Sequence, residues 1–370
     1  MKIQAIELRR VSVPLKTPFR TSFGVEPDRD AVLVRVITDE AEGWGECVSG
    51  SEPFYCSEYA HGSWDVLERH IIPMLLAAAD NSVDGHTVEQ ILKPIDGHRM
   101  SKACVESAVL DAQTRAAGQS LSEFLGGTRD RVETGVSVGI HDTIDALLAT
   151  VSGYVADGYP RIKLKVEPGS DIEQVRAVHA LVGGKVRLQV DANCAYTRAD
   201  IAHLCQFDEF DLLLIEQPFE KDDLVTHAEL RRVSSTPVCL DESIESLQIL
   251  ETALALGAVD IVNIKPGRIG GWMASKRIHD RCVAEGIPLW HGGMLETGIG
   301  RAANVALASM PGFTLPGDLS ASDRYFDQDL TEKFVLEGGH LRVPVGPGIG
   351  RVPLADVLER FTSRVTTIRP

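Results

Sequence analysis

The hydrophobic pattern of the first part of the chain predicts a mixture of strands and helices. Ile3–Val13 alternates weakly and predicts a strand, while Ala31–Ile37 and Trp44–Val48 flank the turn-rich DEAEG and predict an antiparallel hairpin. Polar, turn-rich stretches at 17–30 and 49–56 predict mobile loops. Helical spacing predicts helices over 57–79, 86–94 and 103–117.

Eight short β-rich runs then follow at a regular period. They begin at residues 134, 161, 186, 212, 237, 260, 288 and 314. Successive starts lie 23 to 28 residues apart, and helix-like stretches such as DIEQVRAVHALV lie between them. This alternation predicts a parallel sheet, and eight strands fit a closed barrel with seven helices between them. The open doubly wound alternative would carry a GxGxxG turn after its first strand, which is missing there.

The pattern changes again toward the C-terminus. Phe334–Val345 predicts a hairpin about Gly338-Gly339, and a short helix is predicted near 354–363. Because no long linker precedes this tail, we expect it to pack back on the N-terminal region. The predicted organisation is therefore an α+β domain over 1–127, a barrel over 128–322 and a C-terminal segment over 323–370.

Composition excludes several classes of protein. The 370 residues suffice for a barrel of about 250 residues plus further elements. The net charge of −16 argues against binding to nucleic acid or to an anionic membrane surface. No apolar run reaches the roughly 18 residues of a membrane span, and MKIQAIELRR lacks a signal-peptide core. The seven scattered cysteines argue against a disulfide framework and a structural zinc site, and they favour a cytoplasmic location.

Charged residues collect at the predicted strand ends, where the chemistry of α/β barrels takes place. They are Lys163 and Lys165 on the second run, Asp191 on the third, Glu216 on the fourth, Asp241 on the fifth and Lys265 on the sixth. A single acid there is usually a helix N-cap or a solvated charge, but three on neighbouring strands would repel one another without a cation between them. Oxygen ligands select a hard divalent ion, Mg²⁺ or Mn²⁺, over zinc.

The three lysines have two interpretations. Strand alternation points Lys163 and Lys165 to the same inner face, and Lys265 lies across the barrel. They could only neutralise the acids, since a buried ammonium group is costly unless it is paired. Alternatively, a lysine whose pKa is lowered by nearby positive charge could remove the proton α to a metal-bound carboxylate. Lysines on both faces would allow racemisation, and one lysine assisting a β-leaving group would allow dehydration.

The motif series resembles a known family. The KxK, DxN, EQP, DES and KPG motifs are similar to those of the muconate lactonizing enzyme subgroup of the enolase superfamily. The stretches at 97–113, 161–169, 213–220 and 291–322 resemble the o-succinylbenzoate synthase and N-succinylamino acid racemase (N-acylamino acid racemase) group. The resemblance covers essentially the whole chain. It implies an α/β protein with a (β/α)₇β modified TIM barrel and an α+β capping domain that the C-terminal tail completes.

The resemblance also implies roles for the strand-end residues. Asp191, Glu216 and Asp241 would be Mg²⁺ ligands. Lys165 and Lys265 would be the acid/base groups on opposite faces of the substrate. Lys163 would stabilise the ene-diolate or orient Lys165, and Asn193 would form a hydrogen bond near the metal or the substrate.

Further candidates follow from position in the chain. Backbone N–H groups of Gly293 and Met294, just before a predicted helix, could bind a succinyl carboxylate. Ser137 and Phe23 could contact substrate. Glu242 and Arg268 could support the site, with Arg268 pairing with Glu242 or tuning Lys265. His291 stands where the relatives are expected to have Cys, and a third acid/base role is conceivable for it.

Several alternatives stay open at this point. Muconate cycloisomerase shares the lysine and metal motifs, whereas dipeptide epimerases would present DxD where this chain has Asp318-Leu319-Ser320. A metal-binding scaffold protein would be expected to have lost a lysine or a ligand. The resemblance implies a small-molecule carboxylate substrate and a homo-oligomer, from dimer to octamer. It does not separate the synthase from the racemase.

Overall fold

The computed structural model describes residues 1–21, 24–78 and 83–370. Its strands are β1 (Ile3–Thr21), β2 (Gly24–Thr38), β3 (Glu42–Cys47), β4 (Arg131–Glu133), β5 (Val136–Val138), β6 (Arg161–Lys165), β7 (Arg187–Asp191), β8 (Ile215–Glu216), β9 (Val238–Leu240), β10 (Ile261–Ile264), β11 (Leu289–His291), β12 (His340–Arg342) and β13 (Thr362–Ile368). Its α-helices are α1 (Ala60–Val66), α2 (Ile72–Ala77), α3 (Gly85–Ile91), α4 (Arg99–Ala116), α5 (Leu121–Leu125), α6 (Ile144–Ala156), α7 (Asp171–Val182), α8 (Ile201–Leu204), α9 (Leu224–Val233), α10 (Leu247–Leu256), α11 (Pro266–Ile269), α12 (Trp272–Glu285), α13 (Gly298–Ala308) and α14 (Ala355–Phe361).

The N-terminal part of the chain forms an antiparallel sheet in the order β13-β1-β2-β3. The predicted hairpin is present as β2 and β3, with Val34 opposite Gly45. The C-terminal strand β13 adds to the edge of this sheet, where Ile368 lies opposite Ile6. The domain boundaries at residues 127 and 322 stay a prediction.

The predicted loop over 17–30 is wrong. Its described residues continue β1 and β2 as a paired hairpin, with Phe19 opposite Glu26 and Thr21 opposite Gly24. This arm is exposed over much of its length, so its side chains need no alternation of polar and apolar residues, which is the signal that strand prediction uses. The hairpin predicted within Phe334–Val345 is present only as a turn between Glu337 and His340, because β12 pairs with β4 instead.

Two glycines allow helix α4 to contact the N-terminal sheet through its backbone. A Cβ on Gly45 would lie 1.9 Å from the carbonyl oxygen of Cys104, and one on Gly43 would lie 2.1 Å from that of Ala108. Between them, the N–H of Trp44 donates to the buried carboxylate of Asp111 over 2.8 Å. The small residues that alternate along β3 therefore set the distance between sheet and helix.

The middle of the chain forms the predicted parallel sheet, in the order β5-β6-β7-β8-β9-β10-β11. Helices separate successive strands, as the 23 to 28 residue period predicts. The eighth β-rich run is not a regular strand, but it bridges the two edges of the sheet. Phe313 pairs with Leu289 of β11 at one edge, and Gly317 pairs with Thr134, between β4 and β5, at the other. The sheet is thereby curled into a barrel, in agreement with the predicted α/β fold class.

One hydrophobic core joins the N-terminal sheet to the barrel. Val11 and Leu33 on one face of the sheet belong to the same buried cluster as Ile299 and Ala303 of α13. The opposite face of the sheet, including Val34, packs with α4. The N-terminal sheet is therefore held in a fixed position over the mouth of the barrel. In the three described ranges, no helix has the length and apolar character needed to cross a membrane.

The contact between β3 and α4 predicts an unequal response to two glycine substitutions. Gly45→Ala is expected to lower the free energy of unfolding by about 2 kcal/mol or more, because the new methyl group meets backbone that must move. Gly153→Ala is the matched control, since Gly153 is exposed in α6 and its Cβ would meet no atom within 4 Å. That change is expected to stabilise by about 0.5–1 kcal/mol. Urea denaturation measures both, and equal effects would contradict the close approach.

Candidate active site

The strand-end lysines and acids lie together at the carboxyl ends of the barrel strands. Lys163 and Lys165 alternate on β6, and both line one pocket at the barrel mouth together with Lys265. The parallel register sets Lys165 beside Asp191 and Asp191 beside Glu216. Consecutive parallel strands thus bring together residues that are about 25 positions apart in the sequence.

Lys163 is the centre of the ion-pair network. Its Nζ lies 3.0 Å from Asp191 Oδ2, 2.9 Å from Glu216 Oε2 and 2.6 Å from Asp318 Oδ2. It also lies 4.8 Å from the centroid of the Trp290 ring. Burial opposes its charge, but the three carboxylates outweigh burial and raise the pKa of Lys163. In this arrangement Lys163 is held as a cation.

Lys165 connects the carboxylates to Asn193. Its Nζ donates to Asp191 Oδ2 and to Asn193 Oδ1, each over 2.6 Å. Asn193 has a left-handed backbone, with φ of 42°, and its Nδ2 donates to Glu242 Oε1 over 2.9 Å. Within the described part of the chain, Glu242 Oε2 is buried and has no hydrogen-bond partner. Asn193 and Asp191 therefore hold the Lys165 ammonium together, and the Asn193 N–H also donates to Asp191 Oδ1 over 3.1 Å.

Lys265 occupies the other side of the barrel. Its Nζ lies 2.7 Å from Asp241 Oδ2 and 5.1 Å from the centroid of the Tyr55 ring. Burial opposes its charge, and nearby acidic groups raise the pKa of Lys265 above the usual range. Arg268 pairs with Asp241 and donates to the carbonyl of Asn263 over 2.6 Å, so its partner is not Glu242. Asp241 thus binds both of these cations.

The formal charges of the set cancel. The acidic members are Asp191, Glu216, Asp241, Glu242 and Asp318, and the basic members are Arg161, Lys163, Lys165, Lys265 and Arg268. The lysines lower the pKa of Asp191 against the effect of burial, whereas burial and the Asp191 charge raise the pKa of Glu216. These buried carboxylates can stay ionised only while cations lie next to them.

The donor set fits a hard divalent cation in its chemistry. Asp191, Glu216 and Asp241 offer buried carboxylate oxygens at the ends of β7 and β8 and just after β9. The ammonium groups of the lysines now bind those oxygens. Accordingly, over the described ranges no three acidic, His or Cys side chains converge as a preformed metal cage. A metal would have to take the place of ammonium groups on these carboxylates.

The weaker candidates have different surroundings. Ser137 lines the pocket, and its buried Oγ has no hydrogen-bond partner among the described residues. Gly293 also lines the pocket, and a Cβ there would lie 2.3 Å from the carbonyl oxygen of Asp318. The N–H of Met294 already donates to Glu296 Oε2 over 2.9 Å, so it is not free for a ligand. Phe23 lies outside the described residues.

His291 does not line the pocket of the lysines. Its neighbour Trp290 faces the barrel interior, and His291 instead lines a separate cavity of about 180 Å³ beside Phe313. Burial lowers the pKa of His291 to about 4. The imidazole is therefore neutral and lies outside the pocket that Lys165 and Lys265 line, although His291 pairs with Ile264, the residue before Lys265.

Sequence reasoning missed three members of the network. Arg161 donates to Asp318 over 2.6 Å, and Trp290 lies against both Arg161 and Lys163. The alternating basic residues of RIKLK gave a signal for Arg161, which shares the inner face with Lys163. Asp318 lies in the segment that closes the barrel, and only that closure shows its contact with Lys163.

Comparison with known proteins identifies the family. The N-terminal domain of mandelate racemase and muconate lactonizing enzyme matches residues 5–126, and the enolase C-terminal domain-like family matches residues 146–357. The chain belongs to the enolase superfamily. The predicted family assignment is thereby confirmed, and the chain is an enzyme of that superfamily.

Relatives of this enolase-superfamily chain cover nearly its full length. An N-succinylamino acid racemase from Amycolatopsis sp is 56% identical over 98% of each chain. An o-succinylbenzoate synthase from Geobacillus kaustophilus is 43% identical over 98% of this chain and 96% of its own. A solved enolase-superfamily protein from Listeria innocua superposes with a TM-score of 0.95 at 37% identity, covering 100% of this chain and 99% of its own.

The ion-pair network predicts a large effect of removing its central cation. Lys163→Met is expected to lower the free energy of unfolding by about 3–5 kcal/mol in metal-free buffer, because Asp191, Glu216 and Asp318 lose a shared partner. Lys276→Met is the matched control, since it breaks only a surface pair with Asp280 and should cost about 1 kcal/mol or less. Chemical denaturation measures both. Equal losses would show that the buried network contributes no more than a surface pair.

Proposed function

We propose that this enzyme removes the proton α to a carboxylate in a Mg²⁺-dependent reaction that passes through an ene-diolate. The product would be o-succinylbenzoate by dehydration, an inverted N-succinylamino acid or other N-acylamino acid by racemisation, or both. The observation that carries the proposal is the presence of Lys165 and Lys265 at the ends of two different strands in one pocket, each hydrogen-bonded to a carboxylate of the strand-end set.

Asp191, Glu216 and Asp241 would hold the metal, for which Mg²⁺ is the first choice and Mn²⁺ a possible substitute. When bound, such an ion would hold the substrate carboxylate and stabilise the negative charge that develops there. Glu242 Oε2 has no hydrogen-bond partner among the described residues, and a buried carboxylate oxygen in that state is costly. This supports the presence of a further cation or hydrogen-bond donor next to it in the working enzyme. Glu242 and Arg268 would keep Asn193 and Asp241 in position through the hydrogen bonds described above.

The lysines would perform the proton transfers. A base must be neutral, so the lysine that acts first must give up the charge that its carboxylate partners now stabilise. Weakening the Lys165–Asp191 and Lys265–Asp241 contacts would favour this loss of charge. Lys163 is paired with three carboxylates and would stay cationic, which suits it to stabilise the ene-diolate rather than to accept a proton.

Charge balance favours an anionic substrate. The strand-end set has no formal net charge while all three lysines are cations, so a divalent metal leaves a buried excess of positive charge, which is smaller by one when the base lysine is neutral. The carboxylates of an N-succinylamino acid would offset this excess, whereas a substrate with a free ammonium group would add to it. Ser137 would contact the substrate through its unpartnered hydroxyl. The cytoplasmic location and the homo-oligomeric state stay predictions.

The first experiment is paired turnover on one Mg²⁺-loaded preparation. We expect loss of the cyclohexadiene precursor of o-succinylbenzoate, followed by absorbance, or inversion of N-succinyl-L-phenylalanine, followed by optical rotation. Turnover of the first alone would identify a dedicated synthase, and comparable rates would identify a bifunctional enzyme. Inactivity on both, with metal bound, would exclude the proposal and favour cycloisomerisation or epimerisation.

Removal of one lysine should leave an enzyme that can transfer a proton on only one face of the substrate. Lys165→Ala and Lys265→Ala are each expected to lower racemisation by about 10² to 10⁴-fold, the usual contribution of a general acid or base. Each variant should still exchange the α-proton of one enantiomer with solvent deuterium, and the two variants should differ in which enantiomer they exchange. NMR in D₂O measures this exchange. Lys185→Ala, at an exposed lysine, is the control. Exchange of the same enantiomer by both variants would contradict the two-face assignment.

Metal binding should stabilise the folded enzyme. At a Mg²⁺ concentration of 100 times Kd, the stabilisation is expected to be about 2.7 kcal/mol, seen as a rise in Tm after prior removal of metal with EDTA. Glu216→Gln should abolish this rise, while Glu209→Gln, at an exposed carboxylate, should leave it intact. A Tm that does not respond to Mg²⁺ or Mn²⁺ in the unmodified enzyme would exclude the proposed metal site.

A further inference from the structure

A buried arginine from the N-terminal sheet reaches the same pocket as the three lysines. Arg29 lies on β2 and is only 1% exposed, and it shares the strand face of Ala31 and Leu33 that packs toward the barrel. Met294, Leu295 and the three lysines line the same pocket as Arg29. In the observed strand, Arg29 is a charged residue on a face whose next two members, Ala31 and Leu33, are buried and apolar.

The hydrogen-bonding capacity of Arg29 is poorly satisfied. Its terminal nitrogens reach the carbonyl oxygens of Cys47 and Ser49 only at 3.4 and 3.5 Å. Its Nε lies 3.6 Å from Glu46 Oε1 and has no hydrogen-bond partner in the described part of the chain. Good charge-assisted hydrogen bonds are about 2.7–2.9 Å long, and a guanidinium carries five donors. A buried cation with only long contacts is costly unless a ligand completes its shell.

Glu46 does not fill this need because its oxygens serve another element. They accept hydrogen bonds from the Thr297 hydroxyl over 2.7 Å, the Thr297 N–H over 3.1 Å and the Gly300 N–H over 3.0 Å. Glu46 therefore caps the first turn of α13, and it forms a buried ion pair with Arg29 at 3.6 Å without a hydrogen bond to it. Arg29 thus lines the pocket with one nitrogen, Nε, that has no hydrogen-bond partner among the described residues, and with two terminal nitrogens that make only long hydrogen bonds.

Arg29 is also the one basic residue of the described pocket lining that the proposed reaction does not use. Of the described residues that line the pocket, the basic ones are Arg29, Lys163, Lys165 and Lys265. The proposed reaction uses the three lysines around the reacting carboxylate, the one next to the carbon that loses its proton. The second carboxylate of a dicarboxylate substrate then needs another partner, and the N–H of Met294 already donates to Glu296.

We propose that Arg29 binds the distal carboxylate of the substrate, the one carried by the acyl group, and so selects for dicarboxylates. This inference rests on the proposed function, and it adds the residue that would set acyl-group preference. Arg29 takes no part in proton transfer in this proposal. Its effect should therefore fall on KM for charged acyl groups and should spare kcat.

The test compares Arg29→Met with the unmodified enzyme on matched N-acyl-L-phenylalanines. We expect KM for the N-succinyl substrate to rise at least about tenfold, with kcat little changed, because a buried charge-assisted contact is lost. The value of kcat/KM for the N-acetyl substrate should not fall. An equal loss on both substrates, or no loss on either, would overturn the proposal. Arg29→Lys should recover part of the KM for the N-succinyl substrate.

Two controls keep the outcome interpretable. Arg20→Met removes an exposed arginine that pairs with Asp142 outside the pocket, and it should not alter the preference between acyl groups. If Arg29→Met does not fold, the unmodified enzyme is compared on the N-succinyl substrate and its neutral succinamoyl counterpart. Equal KM values for these two would overturn the proposal. Failure of the proposed function is distinguishable, because the unmodified enzyme would then turn over none of these substrates or the cyclohexadiene precursor.

Discussion

The pairing of buried carboxylates with buried ammonium and guanidinium groups is the interaction on which this barrel depends. Each charge alone would cost several kcal/mol to remove from water, and only close partners offset that cost. Lys163 joins Asp191 on β7, Glu216 on β8 and Asp318 on the closing segment. The network thereby ties the closing segment, which lacks regular strand pairing, to the rest of the barrel. The groups that neutralise one another are also the groups that a metal and a substrate would rearrange.

The N-terminal sheet completes the site as well as covering it. One hydrophobic core passes from this sheet into α13, and Glu46 of β3 accepts hydrogen bonds from the first turn of that helix. These contacts fix the 293–297 segment, which borders the pocket, against the sheet that carries Arg29. The barrel supplies acid/base and carboxylate groups, whereas the sheet supplies an additional cation. In the proposed mechanism, the barrel groups would carry out the reaction and Arg29 of the sheet would select the substrate.

Prediction from the sequence succeeded where a local pattern reflects a local cause. The parallel strands follow from a regular period of buried apolar runs, and Lys163 and Lys165 share a face because strand side chains alternate. It was wrong for 17–30, where two mostly exposed strand segments pair through their backbones and few apolar residues mark the pattern. It also could not foresee that the N–H of Met294 donates to the Glu296 carboxylate, because that bond depends on the backbone angles of the turn and on the direction of the Glu296 side chain, which residue type alone does not set.

The sequence by itself determined the α/β class, the family and the group of acids and lysines at the strand ends. These depend on periodicity and on residue type, which are properties of short segments. Only the tertiary structure decided which charges neutralise which. Arg268 binds Asp241, Asp318 binds Lys163, and Arg29 lines the pocket with its Nε unpartnered among the described residues. Such pairings join residues that are distant in the chain, and electrostatic energy depends on their separation and burial in the folded protein.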